Sequence, residues 1–138
     1  MKELIFFLID DDEDDRDIFR IALKKTGIAC TLLTAPSGIA AIEKFKSDTA
    51  FIPDYIFLDI NMPGMLGTVC LGEIRKIPRL AAVPVIIYST SSNPVYEEET
   101  KRLNASHYLI KPSEINVLTN IITVITNAVT LPFSIKAG

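Results

Sequence analysis

Continuous apolar runs alternate with helix-period segments along the chain. Leu4–Ile9 is apolar at every position, with no polar alternation, as expected of a parallel strand covered on both faces. Similar runs recur at Tyr55–Leu58 and Val85–Tyr88, a shorter one at Tyr108–Ile110 and a weaker one at Cys30–Thr34, which predicts five strands. Between the strands the period changes. Ile18, Ile21, Ala22 and Lys25 form one helical stripe, widened by Phe19 and Leu23, and Gly27 stands where a helix-ending glycine belongs. Ser37 is placed to cap a helix through Ala40, Ala41, Ile42 and Phe45. Val69–Lys76 predicts a third helix that must end before Pro78. Asn93-Pro94 opens a fourth, with Glu97, Glu98 and Glu99 near its positive end. The fifth covers Ile115–Asn127, its core stripe being Leu118, Ile121, Ile122, Ile125 and Val129.

The order βαβαβαβαβα predicts an α/β, doubly wound, five-stranded parallel sheet with helices on both faces. One domain is expected over residues 1–129, followed by a short extension, 130–138, and no output domain. Ligands of such sheets bind beyond the carboxyl ends of the strands.

Charge sharpens this picture. The chain carries 14 basic and 17 acidic side chains, a net of −3, but the stretch Asp10–Asp17 alone holds seven acids and one base. Setting it aside leaves 10 acids and 13 bases, so a mildly basic molecule surrounds one acidic spot. A nucleic-acid binder needs the reverse, a concentrated basic face. The N-terminal apolar run is too short for a signal peptide or membrane span, so a cytoplasmic protein without membrane contact is expected. Cys30 and Cys70, with no CxxC spacing, read as buried thiols.

The candidate chemistry sits at strand ends. Asp10 and Asp11 close the first strand, Asp59 the third and Ser89 the fourth, and Lys111 follows the fifth. Topology brings these ends to one edge. Clustered carboxylates repel and call for a cation, and oxygen-only donors select a hard ion such as magnesium. A carboxylate beside that ion can attack a phosphoryl group, with Lys111 balancing charge on the phosphoryl oxygens and Ser89 donating a hydrogen bond. The acids from Asp12 to Asp17 read instead as the solvated start of the first helix.

LIDDDEDD, FLDINMPG, PVIIYSTSS and HYLIKP, in this order and spacing, resemble the receiver domain family of two-component response regulators over nearly the whole chain. The resemblance implies a (βα)5 flavodoxin-like fold and Asp59 as phosphoacceptor. It implies magnesium held by Asp11, Asp59 and the Asn61 backbone carbonyl, with Asp10 acting through a water. It assigns Ser89 and Lys111 to the phosphoryl group and makes Ser89 and Tyr108 the switch pair, the ring turning inward on phosphorylation. It suggests a cis Lys111-Pro112 bond. The expected partner is a sensor histidine kinase or histidine phosphotransfer protein. The protein would then be a stand-alone phosphoacceptor with slow self-dephosphorylation, not an enzyme in the usual sense. The apolar flank Val117, Val124 and Ala128 marks the face of the fourth helix, fifth strand and fifth helix for an effector or a second copy. His107, the only histidine, is expected at the strand end, facing away from Tyr108.

Leu66 stands where many family members have an acid, so the third helix should lack a side-chain cap. Two other readings compete. An aspartate-nucleophile phosphatase would want an acid two residues after Asp59, where Asn61 stands. A pseudo-receiver that only binds would be expected to lack one of the five pocket residues, and all five are present.

Overall fold

A computed structural model describes residues 3–127 and 130–136. Its elements are β1 (Leu4–Ile9), α1 (Glu13–Lys25), β2 (Cys30–Ala35), α2 (Gly38–Ser47), β3 (Tyr55–Leu58), α3 (Gly67–Arg75), a 3-10 turn (Pro78–Leu80), β4 (Val85–Ser89), α4 (Pro94–Arg102), β5 (His107–Ile110), α5 (Ile115–Thr126) and β6 (Ser134–Ile135). All strand pairs are parallel, in the order β2-β1-β3-β4-β5-β6. The α/β doubly wound flavodoxin-like fold is therefore present, with one strand more than the sequence predicts.

Alternation along each strand divides the core into two layers. Phe7, Ile9, Ile56, Leu58, Val85, Ile87 and Tyr108 pack on the α2–α3 side. Phe6, Leu8, Phe57, Ile86, Tyr88 and Leu109 pack beneath α1 and α5. Because both layers need apolar partners, the central strands read as unbroken apolar runs.

Helix boundaries follow local chemistry. Ser37 Oγ accepts the Ala40 N–H, and Asn93 Oδ1 accepts that of Val95. Gly27 adopts a φ of 73°, the left-handed conformation that ends α1. Leu66 at the start of α3 supplies no side-chain cap, as its chemistry requires. That helix begins at Gly67, two residues before the predicted start.

Four expectations need correction. The buried face of α1 is Phe19, Ala22 and Leu23, while Ile18 and Ile21 are 36% and 48% exposed. The stripe drawn through 18, 21, 22 and 25 is thus rotated from the one that packs on α5. Cys70 is buried, but Cys30 is only half-buried at the sheet edge, and both are free thiols. Among the described residues no peptide bond is cis, so that of Lys111-Pro112 is trans. Tyr108, the expected switch residue, lies inward and is 2% exposed. The extension 130–138 is more than a tail, since Ser134–Ile135 forms β6 beside β5. His107 fits this edge: its Nδ1 lies 2.9 Å from the Pro132 carbonyl. Ala128 and Val129, expected on the flank and core stripe of α5, lie outside the described residues.

Candidate phosphoryl-acceptor site

The carboxyl ends of β1 and β3 are joined by the Asp59 N–H, which donates to the Ile9 carbonyl at 3.0 Å. Asp10 is held to the end of β2 by its N–H on the Ala35 carbonyl at 3.1 Å. The Lys111 N–H donates to the Ser89 carbonyl at 2.8 Å, which ties β5 to β4. Backbone pairing therefore fixes where these side chains start.

Carboxylate oxygens of Asp10, Asp11 and Asp59 all lie within 4.8 Å of one another. Asp10 is fully buried, Asp59 7% exposed and Asp11 exposed. Asp10 Oδ1 accepts the Asp12 N–H at 3.0 Å, and Asp59 Oδ1 accepts the Ile60 N–H at 2.8 Å. Asp10 Oδ2 is buried without a hydrogen bond, facing the Lys111 ammonium at 2.9 Å in an ion pair. Lys111 Nζ also lies 3.4 Å from Asp59 Oδ2 and 2.7 Å from Asp15 Oδ2, and 5.2 Å above the Tyr88 ring.

Burial governs the protonation of these groups. Desolvation pushes the Asp10 carboxyl up to about 6, against the opposing pull of Lys111 and the Asp12 N–H. Asp59 is raised for the same reason, with Lys111 again opposing. Burial alone would lower Lys111, but its hydrogen bond to Asp15 and its ion pair with Asp10 outweigh that and leave it raised. One ammonium thus faces three carboxylates in a poorly solvated pocket. All the donors around the cluster are oxygens, and a buried carboxylate oxygen lacks a hydrogen bond. That combination fits a hard divalent cation.

Ser89 is fully buried, and its Oγ accepts the Ser91 N–H at 3.2 Å. The Tyr108 hydroxyl donates to the Ser91 carbonyl at 2.8 Å, so the two expected switch residues share one loop residue as partner. Asn61 is exposed, two residues beyond Asp59.

Four contributors are not apparent from strand-end logic. Asp12 caps α1, its Oδ1 accepting the Asp14 and Asp15 N–H groups. Asp15 reaches back to Lys111, although the sequence suggests only a solvated helix start. Arg16 donates to the Asp10 carbonyl at 2.8 Å, fixing the strand-to-helix turn from above. Gly67 presses against the Asp59 backbone: a Cβ there would meet the Asp59 carbonyl oxygen at 2.0 Å. Its N–H donates to the Ile60 carbonyl at 2.8 Å, so only glycine allows α3 to start this close to the loop that follows Asp59. A helical spacing count carries the Asp12 signal, but nothing local marks Asp15 or Gly67.

Residues 6–123 match the family model described as response regulator receiver domain. Among related proteins, the sensor histidine kinase CheAY of Helicobacter pylori is 32% identical over 87% of this chain, and the transcriptional regulator NtrC of Escherichia coli 34% over 84%. The chain spans only 15% and 23% of those proteins. It covers 76% of the response regulator Rcp1 of Synechocystis, which is 28% identical over 78% of this chain. The phosphorylated cyanobacterial phytochrome response regulator RcpA superposes with a TM-score of 0.83 at 27% identity, covering 95% of this chain and 99% of that one. A manganese-bound form of Rcp1 gives 0.79 at 27% identity, covering 94% and 99%. Among the described residues, no helix is long and apolar enough to cross a membrane.

Proposed function

The chain belongs to the response regulator receiver domain family of two-component systems, and from that premise we propose that it accepts a phosphoryl group on Asp59. The observation that carries this reading is the packing of the Asp10, Asp11 and Asp59 carboxylates within 4.8 Å, with the Lys111 ammonium against two of them. Receiver domains as a class are phosphoacceptors rather than turnover enzymes.

In this reading Asp11, Asp59 and the Asn61 carbonyl would hold magnesium, and Asp10 would support it through a water. Bound there, the ion supplies charge neutralisation for the transferring phosphoryl group. The protein's own residues do the rest. Asp59 Oδ1 is held by the Ile60 N–H, which orients the carboxylate and leaves Oδ2 for the phosphorus. Attack by that oxygen forms the acyl phosphate, and the donor's leaving group departs with the electrons of the broken bond. Lys111 stands beside Oδ2 to balance charge on the phosphoryl oxygens, and the Ser89 hydroxyl donates to another of them. For that, Ser89 must exchange its contact with the Ser91 N–H. Because Tyr108 holds the carbonyl of the same residue, movement at Ser89 shifts the footing of the ring. This is a two-state coupling of phosphorylation to the α4–β5 surface.

The donor is a phosphohistidine of a sensor kinase or phosphotransfer protein. The output is a protein contact on the α4–β5–α5 face. The β5 edge of that face is already taken by β6, which leaves the exposed Val95 and Val124 side chains for a partner or a second copy. Size exclusion with and without a phosphoryl mimic tests that contact; a shift to a larger species is expected for a second copy.

The phosphoacceptor reading is tested by incubation with acetyl phosphate. Magnesium-dependent labelling is expected, and its loss in Asp59→Asn. Labelling that persists in that variant contradicts the assignment. A pseudo-receiver that only binds would show no labelling at all while folding normally.

A further inference from the structure

Lys111 does not point straight at Asp59. Its backbone is fixed at the end of β5 by the Ser89 carbonyl, so the ammonium is the part free to choose a partner. Its contacts are graded: 2.7 Å to Asp15, 2.9 Å to Asp10 and 3.4 Å to Asp59. The shortest is therefore to a helix residue that belongs to neither strand end. Asp15 is itself pinned, since its N–H donates to Asp12 Oδ1 in the first turn of α1. The Lys111 side chain is 8% exposed and that of Asp15 27%, so water competes only weakly for this pair.

We propose that Asp15 is a positioning residue that draws the Lys111 ammonium toward α1 and competes with the phosphoryl group for it. This rests on the phosphoacceptor reading of Asp59. A phosphoryl oxygen bound at Asp59 needs an N–H from Lys111, and each proton directed at Asp15 is one withheld from it. The contact thus sets both how readily the site accepts a phosphoryl group and how firmly it keeps one. An acid at the start of α1 acts on the reaction through Lys111, without touching the reacting atoms.

The test uses the full chain with magnesium present. Beryllofluoride affinity by calorimetry and the labelling rate with acetyl phosphate are measured for wild type, Asp15→Asn, Asp15→Glu and Asp14→Asn. Each substitution is also made in a Lys111→Ala background. Asp15→Asn should raise both quantities roughly three- to tenfold, since it weakens one partly shielded charged hydrogen bond. Asp15→Glu should return them toward wild type, and Asp14→Asn should change them less than about twofold, as expected of an exposed charge. In the Lys111→Ala background the Asp15→Asn effect should vanish. An effect that persists there means a through-space field and overturns the proposal, as does equality of the Asp14 and Asp15 variants or a fall in affinity. Thermal unfolding of each variant identifies any that fail to fold, and Asp15→Ser then replaces Asp15→Asn. A separate readout needs no phosphoryl chemistry: the Lys111 ammonium resonance in nitrogen-15 spectra of the free protein should shift on Asp15→Asn. If that shift occurs while Asp59→Asn still labels, the phosphoacceptor reading fails and the Asp15 contact stands. If Asp59→Asn is silent and the resonance does not move, the reverse holds.

Discussion

At the amino ends of the strands, Arg75 and Arg79 direct their guanidinium groups at backbone carbonyls, whereas at the carboxyl ends Lys111 meets three carboxylates. Arg75 donates to Asn104, Leu80 and Val83, four bonds of 2.8–3.1 Å. Arg79 does the same for Phe45, Asp48 and Phe51. Each of these cations meets neutral acceptors that fixed loops could not otherwise satisfy, so charge there closes the fold. At the other end a buried Asp10 oxygen lacks a hydrogen bond, and one ammonium is divided among three acids. The same sheet therefore has one end where cations meet neutral carbonyls of the chain and one where carboxylates outnumber the single ammonium beside them. On the proposed function, the first end serves the fold and the second the phosphoryl chemistry.

Breaking the satisfied end should give the largest loss of stability. Arg75→Met removes bonds to three carbonyls and should cost about 3 kcal/mol in chemical denaturation. Labelling per folded molecule should stay close to wild type. A large loss of labelling without a loss of stability would undo the contrast between the two ends.

Asp10→Asn should act in the opposite sense. The folded protein holds a proton on Asp10 up to about pH 6, well above the ordinary value of 3.8. The native state thus binds more protons than the unfolded chain between those values. Its contribution to stability is present at low pH and lost as pH rises through about 6. In magnesium-free buffer the stability of wild type relative to Asp10→Asn should therefore fall across that window. Magnesium should oppose the fall, and the melting-temperature increase it produces in wild type should grow as Asp10 ionises. The variant should also bind magnesium roughly 10- to 100-fold more weakly, as outer ligands do when removed. A magnesium affinity equal to wild type would remove Asp10 from the site.

The smallest effect belongs to the boundary between site and scaffold. Asp12→Ala loses the cap on α1 and should cost about 1 kcal/mol. Because the cap also holds the turn that carries Asp15, a modest change in labelling rate should accompany it. A stability change of zero would show that the other acids of the first turn replace the cap.

Most of the scaffold is visible in the apolar runs, because a strand buried on both faces leaves an unbroken signature and Ser37, Asn93 and Gly27 mark helix ends chemically. The strand-end residues Asp10, Asp11, Asp59 and Lys111 are likewise visible, since topology alone sends them to one edge. What is hidden has a physical reason in each case. The two-residue strand β6 is too short for a period, and only the open edge of β5 makes it a strand. The true buried face of α1 is masked because Ile18 and Ile21 are apolar but exposed, so hydrophobicity alone misplaces the stripe. Asp15 looks like its solvated neighbours, and only the reach of Lys111 across the pocket distinguishes it. Gly67 follows a glycine-containing loop that reads as a turn, while its role depends on a backbone approach from β3.

The most direct measurement is to locate the phosphoryl group itself. The protein is treated with acetyl phosphate and magnesium, the acyl phosphate is reduced with borohydride, and the modified residue is found by peptide mass spectrometry. Conversion of Asp59 alone is the predicted result. Modification at Asp10, Asp11 or a hydroxyl residue, with Asp59 intact, would contradict the account.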